Sequence, residues 1–494
     1  MGVNNSQSSS HPTISRRRFV QATGASGIVA GLSGCLYGGG SGNDNNGNGS
    51  SASGTVQWAF NPTEAQEYGD QIKQLFHDAG LSDDITLELV AGANNSSQRQ
   101  QKYNQLLDAQ QSSPDLLLMD SGWTIPFIQR EQLLNLTDNL PQNIVKKVNS
   151  QYFKSAVETA KQPSGDDLYG VPLFPDFPVM HYRKDLAKRA GYDTSNWATK
   201  PMTWERFSKI AADVMKQNNL DMGFTFQFDI YEGTACCDFN EFMSSWGGAY
   251  FGGRENLFGP VGKRPVTVDK KPVIDSLRMI RSFIYGPKND PEALPGYQAI
   301  SPTDVLAWTE ESSRKPFSAG RAFGMRNWPY AIPLTISEAK WATPESYGTM
   351  PLPYKVSEQQ ASGVGGSTAA LGGWHMTVNP NAQNKQAALE VIEVATKKQV
   401  ALGLWEIAAW LPPRPDLFDL QRAKSVKPTG QYLDTLRYAG ETAMPRPITV
   451  AWPDEAGQIS QAANAAASQK KNPQQAMNDL ARAIKSIENN IAQS

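Results

Sequence analysis

Apolar residues alternate with polar ones, and then recur at helical spacing, along the region that begins at Thr55. Alternating residues predict strands, and apolar residues three or four positions apart predict amphipathic helices. The predicted strands are 55–60, 85–89 and 115–119, and the predicted helices between them contain 72–79 and 103–107. The first helix stops at Gly80, a residue typical of a helix C-cap. Strands that alternate with helices predict an α/β fold with mainly parallel sheets covered by helices.

Three stretches rich in proline or glycine interrupt this pattern. Three prolines in 172–178 exclude a helix and predict a stiff, extended segment. Residues 362–373 and 411–415 are two further irregular stretches. We interpret all three as crossings between two parts of the fold, so that each part is built from non-contiguous pieces of the chain.

The composition of the 494-residue chain excludes several classes of protein. Hydrophobic residues make up 39% of the chain, enough for a sizeable core, which argues against a wholly disordered protein. The formal net charge of -2 provides no basic field, and we expect no nucleic-acid partner. Three cysteines cannot form a disulfide framework, and with four histidines we expect no metal site. The chain has no G-x-x-x-x-G-K-[ST] phosphate loop, so we do not expect it to hydrolyse ATP. We also expect no cofactor.

Residues 1–35 predict an export signal. A pair of arginines followed by Phe19 precedes an apolar stretch too short to span a membrane, and this resembles a twin-arginine signal. The residues that end at Cys35 resemble a lipobox, so we predict a lipid on Cys35 and attachment to the outer face of the cytoplasmic membrane. An ordinary cleaved signal with an incidental cysteine is the alternative. Residues 36–54 are mostly Gly, Ser and Asn, which predicts a flexible tether.

Asp120 and Trp123 follow the third predicted strand. In open α/β sheets, ligands bind beyond the carboxyl ends of the strands. Asp120 can accept hydrogen bonds from two hydroxyl groups, and Trp123 offers a flat apolar face, so the pair is a candidate ligand site. The alternative is that Asp120 caps the next helix and that Trp123 packs beneath it.

Short motifs along the chain resemble those of a known family. They are Pro114–Trp123, Leu133–Thr137, Leu168–Pro172, Tyr182–Leu186, Pro201–Phe207, Phe317–Tyr330 and Gly372–Trp374. In this order they resemble the extracellular solute-binding proteins of sugar ABC importers, the group that includes maltose- and trehalose-binding proteins. The resemblance implies two lobes joined by a multi-segment hinge, with a sugar or oligosaccharide bound in the cleft between them. It also implies delivery of that ligand to a membrane permease, and we expect a monomer that is not an enzyme.

The resemblance also assigns the lobes and most of the site. The first lobe comprises 55–173 plus 373–412, and the second comprises 174–372 plus 413–494. Sugars offer hydroxyl groups to carboxylates and apolar C–H faces to aromatic rings, and the family places such residues at the crossings and in the loop around Pro329. The candidate ligand-binding residues are Asp120, Trp123, Asp176, Tyr231, Trp246, Trp328, Tyr330, Gly373, Trp374 and Arg414.

Each assignment has a structural alternative. Trp328 and Trp374 can serve packing alone, and Arg414 can form a salt bridge that steadies the hinge. Glu64 is a weaker candidate for the site. Four other tryptophans lie within strand or helix patterns and are predicted to be core residues, namely Trp58, Trp204, Trp405 and Trp410.

Two further alternatives stay open. We expect Cys236 and Cys237 to be buried free thiols, and a vicinal disulfide is the alternative. An exported glycoside hydrolase is the main rival function, with Asp120 and Asp176 as its carboxyl pair. A receptor that presents its ligand to a chemosensory partner is another.

Overall fold

The computed structural model describes residues 52–93, 96–163 and 165–493. The predicted export signal, the predicted lipid site at Cys35 and most of the predicted tether lie outside the described residues. None of the helices in the described ranges combines the length and the apolar composition needed to cross a bilayer.

The strands in the described ranges form two sheets. The first sheet has the order β2-β1-β3-β9-β4, and the second has the order β6-β7-β5-β8. The strands are β1 (Gly54–Phe60), β2 (Ile85–Ala91), β3 (Leu116–Asp120), β4 (Gly170–Asp176), β5 (Val179–Arg183), β6 (Met222–Thr225), β7 (Ala322–Asn327), β8 (Tyr347–Met350) and β9 (Gly372–Val378).

One strand in each sheet runs against its neighbours. In the first sheet β1 is parallel to β2 and β3, whereas β9 is antiparallel to β3 and β4. In the second sheet β6 is parallel to β7, whereas β5 is antiparallel to β7 and β8. The reversed strands β5 and β9 are those that the chain enters from the other sheet, with no α-helix in the connecting segment. The predicted α/β fold is confirmed, but both sheets are mixed rather than mainly parallel. Two of the four strand pairings in the first sheet and two of the three in the second are antiparallel.

Helices cover both sheets. They are α1 (Pro62–Asp78), α2 (Ser96–Asp108), α3 (Thr124–Gln129), α4 (Leu136–Asn139), α5 (Gln142–Gln151), α6 (Lys154–Glu158), α7 (Lys184–Arg189), α8 (Trp204–Asn218), α9 (Phe239–Ser245), α10 (Lys271–Tyr285), α11 (Glu310–Ser318), α12 (Ala331–Glu338), α13 (Lys385–Ala395), α14 (Lys398–Ala408), α15 (Gln421–Lys424), α16 (Leu433–Glu441), α17 (Trp452–Ala467) and α18 (Pro473–Gln493). Their ends follow local chemistry: Thr203, for example, precedes α8 and accepts a hydrogen bond from the backbone N–H of Arg206.

The chain passes between the sheets at the predicted irregular stretches. Only Phe177 and Pro178 separate β4 in the first sheet from β5 in the second. The stretch before β9 returns the chain to the first sheet, and after Pro412 it leaves again, since α14 packs on α1 whereas α16 packs on β5. β4 continues to Asp176, three residues past the predicted lobe boundary at 173.

Large aromatic residues fill the cores behind the sheets. Trp58 is 0% exposed, Trp204 2%, Trp405 0% and Trp410 7%. Trp58 and Trp410 lie in the core of the first sheet, and Trp204 lies in that of the second. The prediction that these four tryptophans are core residues is therefore confirmed.

Candidate functional site

Strand register places four candidate residues at one edge of the first sheet. Asp120 ends β3 and pairs with Trp374 of β9. On the other side of β9, Asp176 ends β4 and pairs with Gly372, the neighbour of Gly373. Because β3 and β4 run in the same direction, their carboxyl ends meet at the same edge, where α/β sheets bind ligands. The register thus brings two carboxyl groups and one indole ring together.

Trp123 supports Trp374 from one side. The two rings meet edge to face, with centroids 5.7 Å apart and an interplanar angle of 86°. Trp123 is buried, whereas Trp374 keeps part of its surface exposed. The guanidinium carbon of Arg99 lies 4.6 Å from the centroid of the Trp374 ring, within the range of a cation–π contact. Trp374 is therefore fixed in place and still offers surface to a ligand.

Gly373 is required by its neighbours. Its φ angle is 115°, and a Cβ atom at this position would lie 2.5 Å from the carbonyl oxygen of Phe174. No side chain fits between β9 and β4 at this point. Gly373 is one of the predicted ligand-binding residues, and the structure adds that it seats β9 against β4.

Trp328 lies against the same edge, although it follows β7 of the second sheet. A Cβ atom on Gly372 would lie 2.9 Å from the Trp328 ring and 3.5 Å from the Cβ atom of Asp176. The guanidinium carbon of Arg326 is 5.0 Å from the centroid of the Trp328 ring. A residue from the second sheet thus joins the carboxyl and aromatic groups of the first.

The two carboxyl groups at this edge are held in different environments. Burial raises the pKa of Asp176 to about 7, although the backbone N–H of Phe177 and the charge of Arg326 act in the opposite direction. Arg326 is itself neutralised, since its Nε donates to Glu241 at 2.8 Å. Burial also raises the pKa of Asp120, partly offset by Arg446 and by the backbone N–H of Gly122. Near neutral pH, Asp176 can therefore donate or accept a hydrogen bond.

Two predicted tyrosines are held by the first turn of α11. The hydroxyl of Tyr231 donates to Glu310 Oε1 at 2.9 Å, and that of Tyr330 donates to Glu311 Oε1 at 2.8 Å. Burial, together with these carboxylates, raises the pKa of both phenols. Both tyrosines are thus fixed by hydrogen bonds within the part of the chain that packs around the second sheet. We call this part the second-sheet half, and the part around the first sheet the first-sheet half.

A cavity of about 550 Å³ lies between helices and loops of the first-sheet half and of the second-sheet half. From the first-sheet side it is lined by Trp123 and Arg130, which flank α3. From the other side it is lined by Tyr231, Glu232 and Trp452. This volume lies within the range of small-molecule sites, which is roughly 300 to 1,000 Å³.

Arg446, Glu232 and Trp452 form a cluster beside Asp120 that the sequence did not predict. Arg446 Nη1 contacts Glu232 Oε1 at 2.7 Å and its Nη2 lies 3.5 Å from Asp120 Oδ1. The indole Nε1 of Trp452 donates to the same Glu232 oxygen at 3.3 Å. One signal was present: Arg446 stands between Pro445 and Pro447, just as Arg414 stands among prolines.

Residues 63–401 match the model of a family described as bacterial extracellular solute-binding protein. The chain belongs to this family. A relative in Deinococcus radiodurans, named a probable ABC transporter-binding protein, is 29% identical over 370 residues, which are 74% of this chain and 77% of the relative.

Solved structures of other solute-binding proteins share the fold. Maltose-bound MalE3 of T. maritima has a TM-score of 0.68 at 24% identity, and the match covers 87% of this chain and 99% of the MalE3 chain. UgpB from Mycobacterium tuberculosis, in complex with glycerophosphocholine, has a TM-score of 0.65 at 17% identity and covers 89% and 100%. These likenesses show the two-lobed fold, and their ligands differ.

Two other candidates lie elsewhere in this solute-binding protein. Trp246 is 8% exposed and packs in the core of the second sheet, where its Nε1 donates to Met279 Sδ at 3.2 Å. Arg414 forms a two-pronged salt bridge with Asp416, at 3.0 and 2.7 Å. The salt-bridge alternative for Arg414 is thus the one that the geometry favours, and neither residue joins the edge described above.

The cysteine pair differs from the expectation. Cys236 and Cys237 form a vicinal disulfide within a π-helical turn, Thr234–Asp238. The expectation of two free thiols is wrong, whereas the expected burial is confirmed, since the residues are 5% and 3% exposed. Two adjacent cysteines in a helical turn can be bonded or free, and the surrounding sequence pattern is the same in both cases. The sequence alone therefore could not separate the two alternatives.

Proposed function

We propose that this solute-binding protein serves an ABC importer and carries a neutral sugar or oligosaccharide to the membrane permease. The observation that carries the proposal is the edge of the first sheet, where Asp120, Asp176 and Trp374 meet Trp328. Carboxyl groups beside partly exposed indole rings suit a ligand with hydroxyl groups and apolar C–H faces. The Deinococcus relative, by its name, and the maltose-bound structure support the same function.

The pairing of Arg446 and Arg326 with carboxyl groups favours an uncharged ligand. Arg446 contacts Asp120 and Glu232, and Arg326 contacts Glu241. An anionic ligand would have to compete with these carboxyl groups for the arginines. A sugar hydroxyl needs only one hydrogen-bond acceptor or donor of the site that is not already in use.

Affinity in such a site must come from several residues. A micromolar dissociation constant corresponds to about -8.2 kcal/mol. Each net hydrogen bond contributes roughly 0.5 to 1.5 kcal/mol, and the loss of motion on binding has to be offset as well. Stacking on Trp374 and Trp328 therefore has to supply a large part of the affinity.

The lobes and the anchor belong to the same proposal. We assign 55–173 plus 373–412 to the first lobe and 174–372 plus 413–494 to the second, with the ligand between them. Residues 1–35 direct export through a twin-arginine-type signal, Cys35 carries the lipid, and 36–54 tether a monomeric binding protein to the membrane. One acyl chain binds a membrane only marginally, so a second chain or contact completes the anchor.

In this proposal the protein binds its ligand without cleaving it. The raised pKa of Asp176 is a property that a glycoside hydrolase also needs in its general acid, so the experiment must separate the two functions. Isothermal calorimetry with a panel of neutral mono- and oligosaccharides, followed by chromatography of each mixture, does so. We expect micromolar or tighter binding of at least one saccharide and its recovery intact. Released sugar would support the hydrolase, and no binding across the panel would contradict the proposal.

A further inference from the structure

Arg446 connects the two halves of the molecule. It lies in the segment between α16 and α17, on the second-sheet side, and is 7% exposed. Its partner Glu232 lies on the same side, 2.7 Å from Nη1, whereas Asp120 lies at the end of β3 in the first sheet, 3.5 Å from Nη2. If the halves separate, the contact with Glu232 stays intact and the contact with Asp120 is lost.

Gly122 provides the seat for this guanidinium group. A Cβ atom on Gly122 would lie 2.7 Å from the guanidinium carbon and 2.7 Å from Nη1 of Arg446. The backbone N–H of Gly122 donates to Asp120 Oδ1 at 2.7 Å, which holds the carboxylate beside the guanidinium. The space above Gly122 is thus occupied by a side chain from the opposite half.

We propose that Arg446 is the closure residue of the ligand cleft: it seats on Gly122 and pairs with Asp120 only when the two halves meet. This inference rests on the proposed function, because the cleft that it closes is the proposed sugar site. The closed arrangement is then stabilised by an ion pair between protein groups as well as by contacts with the ligand. Ligand binding therefore shifts an equilibrium between open and closed arrangements that the ion pair already favours on the closed side. Arg446 is a positioning residue, since it acts through Asp120.

The substitution Gly122→Ala tests the seat without removing a charge. The atoms that the new methyl group would meet are the far end of a long side chain, so the guanidinium can move away while the backbone stays in place. Gly69→Ala in α1 is the matched control, because its Cβ atom would meet only Leu89 Cδ1 at the ordinary distance of 3.8 Å. Arg446→Gln removes the charge itself and keeps much of the side-chain volume.

Small-angle scattering of the ligand-free proteins reads closure directly. We expect Gly122→Ala and Arg446→Gln to have a larger radius of gyration than the wild type and Gly69→Ala, with unchanged circular dichroism. The double variant Asp120→Asn/Arg446→Gln should open no further than Arg446→Gln alone, because both changes break one contact. Equal radii for the wild type, Gly122→Ala and Arg446→Gln would overturn the proposal.

Calorimetry with the saccharide that binds best in the panel supplies the second readout. We expect Gly122→Ala and Arg446→Gln to bind it about tenfold more weakly, the factor that corresponds to roughly 1.4 kcal/mol. Affinity equal to that of the wild type in both variants would also contradict a closure role. If no saccharide binds the wild type, the proposed function fails, while the ligand-free scattering still decides whether Arg446 closes the cleft.

Discussion

The two halves of this protein contribute to the proposed site in different ways. The first-sheet half places Asp120, Trp374 and Asp176 on three adjacent strands, where hydrogen-bond register fixes their positions. The second-sheet half contributes Glu232 and Trp452, each at the start of a helical segment. Strand register fixes neighbouring residues directly, whereas the relative position of two helix ends depends on how the helices pack. We therefore expect the first-sheet edge to hold the ligand rigidly and the facing segments to close on it.

The largest effect expected from this comparison is the loss of Trp374. Trp374→Ala should weaken saccharide binding about a hundredfold, because a buried aromatic anchor commonly accounts for 2 kcal/mol or more of a binding free energy. Calorimetry measures the affinity, and Trp374→Phe, which keeps an aromatic face, should recover part of it. Unchanged affinity in Trp374→Ala would remove the first-sheet edge from the site.

A smaller loss is expected on the facing side. Trp452→Phe removes the indole N–H that donates to Glu232 but keeps an aromatic ring at the cavity wall. We expect affinity to fall by about tenfold or less, which corresponds to roughly 1.4 kcal/mol, because the lost hydrogen bond is made to Glu232 and not to the ligand. A loss greater than that of Trp374→Ala would reverse the comparison between the two halves.

The pH dependence of the free energy of unfolding tests the environment of Asp176 at the first-sheet edge in the absence of a ligand. Folded Asp176 holds its proton up to a pKa of about 7, whereas an unfolded aspartate releases it near about 3.9. Between these values the folded state binds more protons, so this residue makes stability fall as pH rises, and its effect is constant above the folded pKa.

The substitution Asp176→Asn should remove this loss of stability at higher pH. The melting temperature of the variant, relative to the wild type, should rise by a few degrees as pH increases from about 4 to about 8. Differential scanning fluorimetry measures the difference, with the exposed Asp84→Asn as control. A difference that does not depend on pH would show that Asp176 titrates like an exposed carboxyl group.

The smallest effect is expected for Arg414. Its guanidinium is taken up by Asp416, so Arg414→Gln should change saccharide affinity less than twofold. A loss comparable to that of Trp374→Ala would return Arg414 to the site and would add a third region to the comparison.

The sequence predicted the first-sheet edge better than the facing side for a physical reason. Asp120 ends β3, and Trp374 follows the two glycines that begin β9. Both therefore lie close to strand ends, which alternating residues and glycine-rich stretches indicate along the chain. Trp246 and Trp452 both pack in the core of the second sheet, but of the two only Trp452 also lines the cavity. Nothing local separates them, because residues far away in the chain decide which buried tryptophan borders the cavity. Similarly, the partners of Arg446 lie 214 residues away at Glu232 and further still at Asp120.

Amide hydrogen exchange with and without the best-binding saccharide tests the central claim, that one ligand is enclosed by both halves. We predict that the ligand slows exchange together at 120–123 and 372–374 in the first-sheet half and at 231–232 and 449–453 in the facing half. Slower exchange in only one of the two halves, or in neither, would contradict the account.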